Sequence, residues 1–185
     1  MKKYEFTGET KVWLGITLHR IRALVAFGDV DVGDLGGWIE KEENLAQEGE
    51  AWVSGEALVC DEARVCGEAK VSGEARVYGK ANVCGKAWVS GEALVCDEAR
   101  VEKPWHCITI GLIGSRNDTT TFFRTKSLEI FVACGCFRGN IEEFAEAVKK
   151  RHGGTKHEKV YLAAIELAKL QIDLTEGTDL EKEMG

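Results

Sequence analysis

Residues 51–101 read AWVSGE ALVCDE ARVCGE AKVSGE ARVYGK ANVCGK AWVSGE ALVCDE ARV. Alanine recurs every sixth residue from Ala51 to Ala99, and valine comes two places later, from Val53 to Val101. Gly or Asp sits two residues after each valine as far as Asp97. In each unit Ala and Val are two apart, so both point to one side of a short strand while the residue between them points out. Gly-Glu or Asp-Glu then turns the corner, with Gly accepting a positive φ. A repeat this short buries no face alone, so consecutive units must stack.

Working outward, Ile39 and Leu45 continue the alanine column backwards, which places the start of coiling near Leu35. The hexad resembles the hexapeptide repeat of left-handed parallel β-helices, in which three units make one triangular coil of about eighteen residues. The resemblance covers residues 35–102 and implies three to four coils. At that spacing Trp52, Lys70 and Trp88 form one outward column, and Leu58, Arg76 and Leu94 a second. Arg64, Asn82 and Arg100 form the third, and segment 51–65 recurs identically at 87–101. Lys70 between two indoles suits cation–π contacts. Exposed Trp and Leu columns need cover, so flanking segments or a subunit interface are expected on Trp52, Leu58, Lys70, Arg76, Trp88 and Leu94. The expected assembly is a dimeric or trimeric homo-oligomer. Cys66 and Cys84 share a turn column one strand spacing apart, within reach of a disulfide, though small side chains packing at a corner explain them more simply.

The fold class expected is mainly β: a left-handed parallel β-helix over 35–102, an N-terminal β cap over 1–34 and a C-terminal βββαα module over 103–172. An acidic flexible tail is expected over 173–185. In the cap, Ile16–Leu24 alternates like a strand, and Gly28, Gly33, Gly36 and Gly37 punctuate the stretch beyond it. Asp29, Asp31 and Glu40 match calcium-loop positions 1, 3 and 12, but Gly33 and Asp34 stand in the wrong order for that loop. Pro104, the only proline, marks the end of the hexads. Beyond it, His106–Ile113, Thr119–Thr125 and Leu128–Cys134 read as strands. Asn140 with Glu143 and Thr155 with Glu158 open two helices, the second ending near Gln171.

The chain has 185 residues and a net charge of -7, with 44% hydrophobic and 30% charged residues, the balance of a globular protein. Residues 103–172 carry 11 basic and 7 acidic side chains, a net of +4 in an otherwise acidic protein, so an anionic ligand is expected there. The acidic whole disfavours direct nucleic-acid binding. The opening MKKYEFTGET lacks the apolar stretch of a signal peptide, and no apolar run spans a bilayer, so a cytoplasmic location without membrane attachment is expected. Seven cysteines without an export signal point to reduced thiols.

The densest polar cluster is Ser115, Arg116, Asn117, Asp118, Thr119, Thr120 and Thr121, joined by Arg124 and Arg138. A guanidinium, hydroxyls and a carboxylate in a glycine-preceded loop suit a nucleotide or phosphate. The plainer reading is a turn whose side chains satisfy its own backbone. His106, His152 and His157 with Cys107, Cys134 and Cys136 are the other reactive candidates; Cys134 and Cys136 share one side if their strand continues.

Acyl transfer from acyl-coenzyme A is the activity that a hexapeptide-repeat resemblance implies, through a histidine on or beside the coils. No histidine lies between His19 and His106, so the resemblance brings no catalytic residue and leans away from an enzyme. TLHRIRALVAFGDVDVGDLGGWIEKEENL before the hexads, with IGSRNDTTTFFRTK and CGCFRGNIEEF after them, resembles bacterial and prophage-borne hexapeptide-repeat proteins labelled transferases. The expected function is therefore a non-catalytic, phage- or prophage-encoded binding protein. It needs no cofactor or metal and takes an anionic small molecule or a host partner protein, with inhibition of a host defence system as a natural role. The alternative is an acyltransferase-like enzyme using His106 or His152. A third, structural reading takes Glu56, Glu74 and Glu92 as an acidic ladder that mimics nucleic acid.

Overall fold

The computed structural model describes residues 2–174. Three strands precede the hexads: β1 (Tyr4–Trp13), β2 (Ile16–Ala23) and β3 (Leu35–Ile39). The hexads themselves fold as a parallel β-solenoid, one two-residue strand per unit. Its first full coil is β4 (Trp52–Val53), β5 (Leu58–Val59) and β6 (Arg64–Val65). The second coil is β7 (Lys70–Val71), β8 (Arg76–Val77) and β9 (Asn82–Val83). The third is β10 (Trp88–Val89), β11 (Leu94–Val95) and β12 (Arg100–Val101). β3 and Leu45 supply an incomplete coil before these, giving about four turns.

The register explains the repeat. Trp52 and Trp88 both pair with Lys70, Leu58 and Leu94 with Arg76, and Asn82 with Arg64 and Arg100. Every alanine and valine of the hexads is buried and fills the interior. At the corners Asp61 and Asp97 take φ +59° and +57° where other units use Gly, a conformation short polar side chains tolerate. The carboxylate of Asp61 accepts from the Gly79 N–H of the next coil at 3.1 Å.

One column differs from expectation at its start. Ile39 pairs with Val59 and Leu45 bridges Val65, so both lie over the valine column, not the alanine column. The shift has a visible source. The Ala46 N–H donates to Val65, nineteen residues on, whereas Glu50 donates to Gly67, seventeen on; two extra residues lie between. Asn44 adapts the incomplete coil, its amide donating to the carbonyls of Ala63 (2.8 Å) and Asp61 (3.2 Å).

The N-terminal segment is a hairpin: β1 and β2 pair antiparallel, and β2 pairs antiparallel with β3. One sheet therefore runs β1-β2-β3-β5-β8-β11. The N-terminal segment covers the first member of two of the outward columns, Trp52 and Leu58. Tyr4 and Phe27 meet the Trp52 indole edge-on at 6.4 and 5.4 Å, while Leu18 packs with Leu58 and Trp38 in a separate apolar cluster. Trp13 packs on Tyr78 at 5.6 Å. The calcium-like spacing serves structure: Asp29 pairs with Lys70, and the Asp34 carboxylate accepts from the Asp31 N–H.

The C-terminal sheet has four strands where three were expected: β13 (Cys107–Ile113), β14 (Asp118–Arg124), β15 (Ile130–Cys134) and β16 (Phe137–Asn140), in that order and all antiparallel. The added strand arises from Gly135, whose φ of +57° reverses the chain. Cys134 and Cys136 therefore flank a hairpin turn instead of sharing one side of a continuing strand. Helices α1 (Ile141–His152) and α2 (Lys156–Gln171) come next. Asn140 accepts from the Glu143 N–H at 2.8 Å while Glu143 reaches back to the Asn140 N–H, the expected reciprocal cap.

The helices pack on one face of this sheet through Phe122, Val132, Phe144 and Tyr161. From the other face Phe123, Phe131 and Ala133 join the solenoid core and close its end. A buried ion pair fixes the junction: Arg124, 0% exposed, holds Glu102 at 2.6 Å, and Arg100 holds the same carboxylate at 2.8 Å. Among the described residues no helix is long and apolar enough to cross a membrane. The expected tail over 173–185 lies almost wholly outside the described residues.

Candidate ligand cleft

Alternation along β14 sends neighbouring threonines to opposite faces. Thr120 points to the helices and donates to Cys134 Sγ at 3.1 Å. Thr119 and Thr121 face the solenoid: Thr119 Oγ1 donates to Glu92 at 2.9 Å, and Thr121 Oγ1 accepts from the Leu94 N–H at 3.0 Å. Where β14 leaves the third coil, a cleft of about 280 Å³ remains. Glu74, Arg76, Glu92 and Leu94 form its solenoid wall. Asp118, Thr119, Thr121, Ala133, Gly135 and Arg138 form the wall from the C-terminal module.

The eight residues expected to bind a ligand therefore divide. Asp118, Thr119 and Thr121 line the cleft. Thr120 and Arg124 are buried and structural. Ser115, Arg116 and Asn117 form the turn beside it, where Gly114 is required because a Cβ would lie 1.8 Å from Tyr161 Oη. Arg116 reaches Cys136 Sγ at 4.0 Å, over the β15–β16 turn. Sequence reasoning placed Arg76 at a subunit interface and Glu74 in an acidic ladder, and so missed both as cleft-lining groups. The signal that was present is Arg138, expected as added charge for the polar loop.

Of the residues expected at a subunit interface, Trp52 and Leu58 are covered by the chain itself, at 7% and 4% exposure. Lys70 pairs with Asp29 at 2.5 Å, in place of the expected sandwich between indoles. Arg76 and half-buried Leu94 belong to the cleft, and Trp88 stays 61% exposed.

Arg138 is held in place. Its Nη1 donates to the Gly135 carbonyl at 2.9 Å and its Nε to Tyr78 Oη at 3.4 Å. Its guanidinium thus enters the cleft with its orientation fixed before any ligand arrives, which lowers the entropy cost of binding. Arg76, from the coil, is exposed. The two guanidinium groups suit a phosphate or carboxylate. The carboxylates of Glu74, Glu92 and Asp118 suit sugar hydroxyls or an amine. The volume is at the small end of ligand cavities, sized for a mononucleotide-like molecule.

The histidines lie elsewhere. His106 is 1% exposed beneath the last coil, its Nδ1 accepting from the Glu102 N–H at 3.3 Å. His152 packs against His157 and Tyr161, between the two helices. The thiols of Cys60, Cys96 and Cys107 are pushed up to about 12, chiefly by burial, which makes them poor nucleophiles.

A comparison with known protein families gives no match. A segment of 61 residues is 36% identical to an uncharacterised acetyltransferase, YdcK, of Escherichia coli strain K12. The matched region is 29% of this chain and 19% of that protein, so the chain spans about a fifth of the relative's length. Taken with the parallel β-solenoid, the match fits a hexapeptide-repeat β-helix family.

Proposed function

We propose that this protein is a non-catalytic binding protein. Its β-solenoid and C-terminal module together hold a small molecule that carries an anionic group, of nucleotide-like size, in the cleft between them. The observation that carries this reading is the pairing of Arg76 from the coil with the pre-positioned Arg138 across one cavity of about 280 Å³. The ligand bridges both parts of the chain, so binding and stability are coupled. A cytoplasmic, phage- or prophage-borne setting is supported by the resemblance of the flanking segments. Sequestering a nucleotide signal of a host defence system is the role that such a cleft would serve there. Native mass spectrometry with a panel of mononucleotides, cyclic nucleotides and ADP-ribose tests it. The expected result is an adduct released unchanged on denaturation; no adduct with any of these compounds overturns the reading.

A second reading has one observation in its favour, the match to a protein described as an acetyltransferase. Under it, the cleft takes acetyl-coenzyme A. Release of the free thiol of coenzyme A in the presence of amine or hydroxyl acceptors, abolished in Arg76→Ala, would put an enzyme in place of the binding protein.

A further inference from the structure

The hexads place two of the seven cysteines directly over one another. β6 and β9 pair in parallel, Arg64 with Asn82 and Val65 with Val83, so the next residues, Cys66 and Cys84, stack one coil apart. The backbone holds them there: the Cys66 N–H donates to the Val83 carbonyl at 3.0 Å and the Cys84 N–H to Val101 at 2.9 Å. Paired strands are about 4.8 Å apart, inside the range of roughly 4.4–6.8 Å between Cα atoms that a disulfide spans. The two thiols stand close enough to act on each other's ionisation.

We propose that Cys66 and Cys84 are an oxidation site at which a low-molecular-weight disulfide links consecutive coils of the solenoid. The half-buried Cys66 is the attacking group, because Cys84 is buried. The Cys84 thiol and nearby Arg64 favour the ionised form of Cys66 and pull its thiol below the ordinary range, which raises its reactivity as a nucleophile. The Cys66 thiolate attacks one sulfur of the oxidant and expels its other half as a thiolate. Cys84 then loses its proton and attacks the Cys66 sulfur of the mixed disulfide, expelling the second half. One Cys66–Cys84 bond forms and two thiols are oxidised, while the oxidant is reduced to two thiols.

The other cysteines lack this geometry. In the column of Cys60 and Cys96, Tyr78 intervenes, and Cys136 is exposed at a turn. The linkage would brace the second coil, which carries Glu74 and Arg76 of the cleft, to the first without adding any residue to the cleft, and it stands whether or not the cleft binds a ligand.

The test is incubation of the full-length protein with oxidised glutathione, alkylation under denaturing conditions and peptide mapping. The expected result is a cross-linked pair of peptides containing Cys66 and Cys84, lost on treatment with dithiothreitol. In Cys84→Ser, Cys66 should instead keep a glutathione adduct, because the second attack has no nucleophile. Full alkylation of both Cys66 and Cys84 after oxidation, or cross-linking of either to a different cysteine, would overturn the proposal. A folded control comes from Cys136→Ser, which should leave the 66–84 link in place.

Discussion

At the scale of single residues the molecule depends on a few buried charges and a few glycines. Arg124 is fully buried on Glu102, so Arg124→Ala should destabilise the protein by about 3–5 kcal/mol, because it leaves a carboxylate in a low-dielectric junction with half its compensation gone. Chemical denaturation of wild type and variant measures this directly. Corner glycines divide into two kinds. A Cβ on Gly49 would lie 2.6 Å from the Gly67 carbonyl, whereas one on Gly91 meets nothing within 4 Å. Both have positive φ. Gly91→Ala should therefore cost about 1 kcal/mol for the left-handed conformation alone, and Gly49→Ala roughly 2–4 kcal/mol once steric strain is added. Equal losses in the two variants would contradict the close stacking of coils.

Buried thiols set the alkaline limit. Cys60, Cys96 and Cys107 titrate near 12 in the folded state against an ordinary value near 9. Their contribution to stability is full below pH 9 and is lost as pH rises toward 12, because the unfolded chain releases these protons first. Lys3, brought down to about 8 by burial, works in the opposite direction between about 8 and 10.5. Three thiols outweigh one amine, so the denaturant midpoint should fall from pH 9 to pH 11. It should fall less in the Cys60→Ala/Cys96→Ala double variant.

At the scale of elements, the two identical hexad segments make an internal experiment. Trp52 and Trp88 have the same neighbours in sequence, but only Trp52 lies under the hairpin of β1 and β2. Trp52→Ala should cost about 3–5 kcal/mol and Trp88→Ala less than about 0.5 kcal/mol, read from thermal or denaturant unfolding. The contrast also marks the limit of what the repeat reveals. Period six specifies short strands, an Ala/Val interior and which residues stack, and each column pairs as the spacing requires. Period alone is silent on which copy of a column is covered, since cover comes from long-range packing of Tyr4, Phe27 and Leu18. The fourth C-terminal strand was hidden for a local reason: Cys134 and Cys136 look like strand residues until Gly135 is seen to adopt a positive φ. The two extra residues before Glu50 were hidden as well, because no hexad precedes them to fix a register.

At the scale of the whole molecule, the cleft belongs to neither part alone. The solenoid contributes Glu74, Arg76, Glu92 and Leu94, and the C-terminal module contributes Asp118, Thr119, Thr121 and Arg138. The loop of polar residues before β14 pointed to the strand that lines the cleft, and the net positive charge of residues 103–172 to the module that forms one wall. Neither could reveal Arg76 as a partner, because that contact depends on how the module closes the solenoid end. The most direct measurement is thermal unfolding of the wild type and of Arg76→Ala against nucleotides, cyclic and ADP-ribose-type compounds and acetyl-coenzyme A. Arg76 is exposed, so the variant should unfold within about 0.5 kcal/mol of the wild type in the absence of ligand. The account predicts that at about 100 times its dissociation constant one anionic class stabilises the wild type by about 2.7 kcal/mol, and that Arg76→Ala abolishes the shift. A shift of equal size in both proteins, or none with any compound, would contradict the cleft as the binding site.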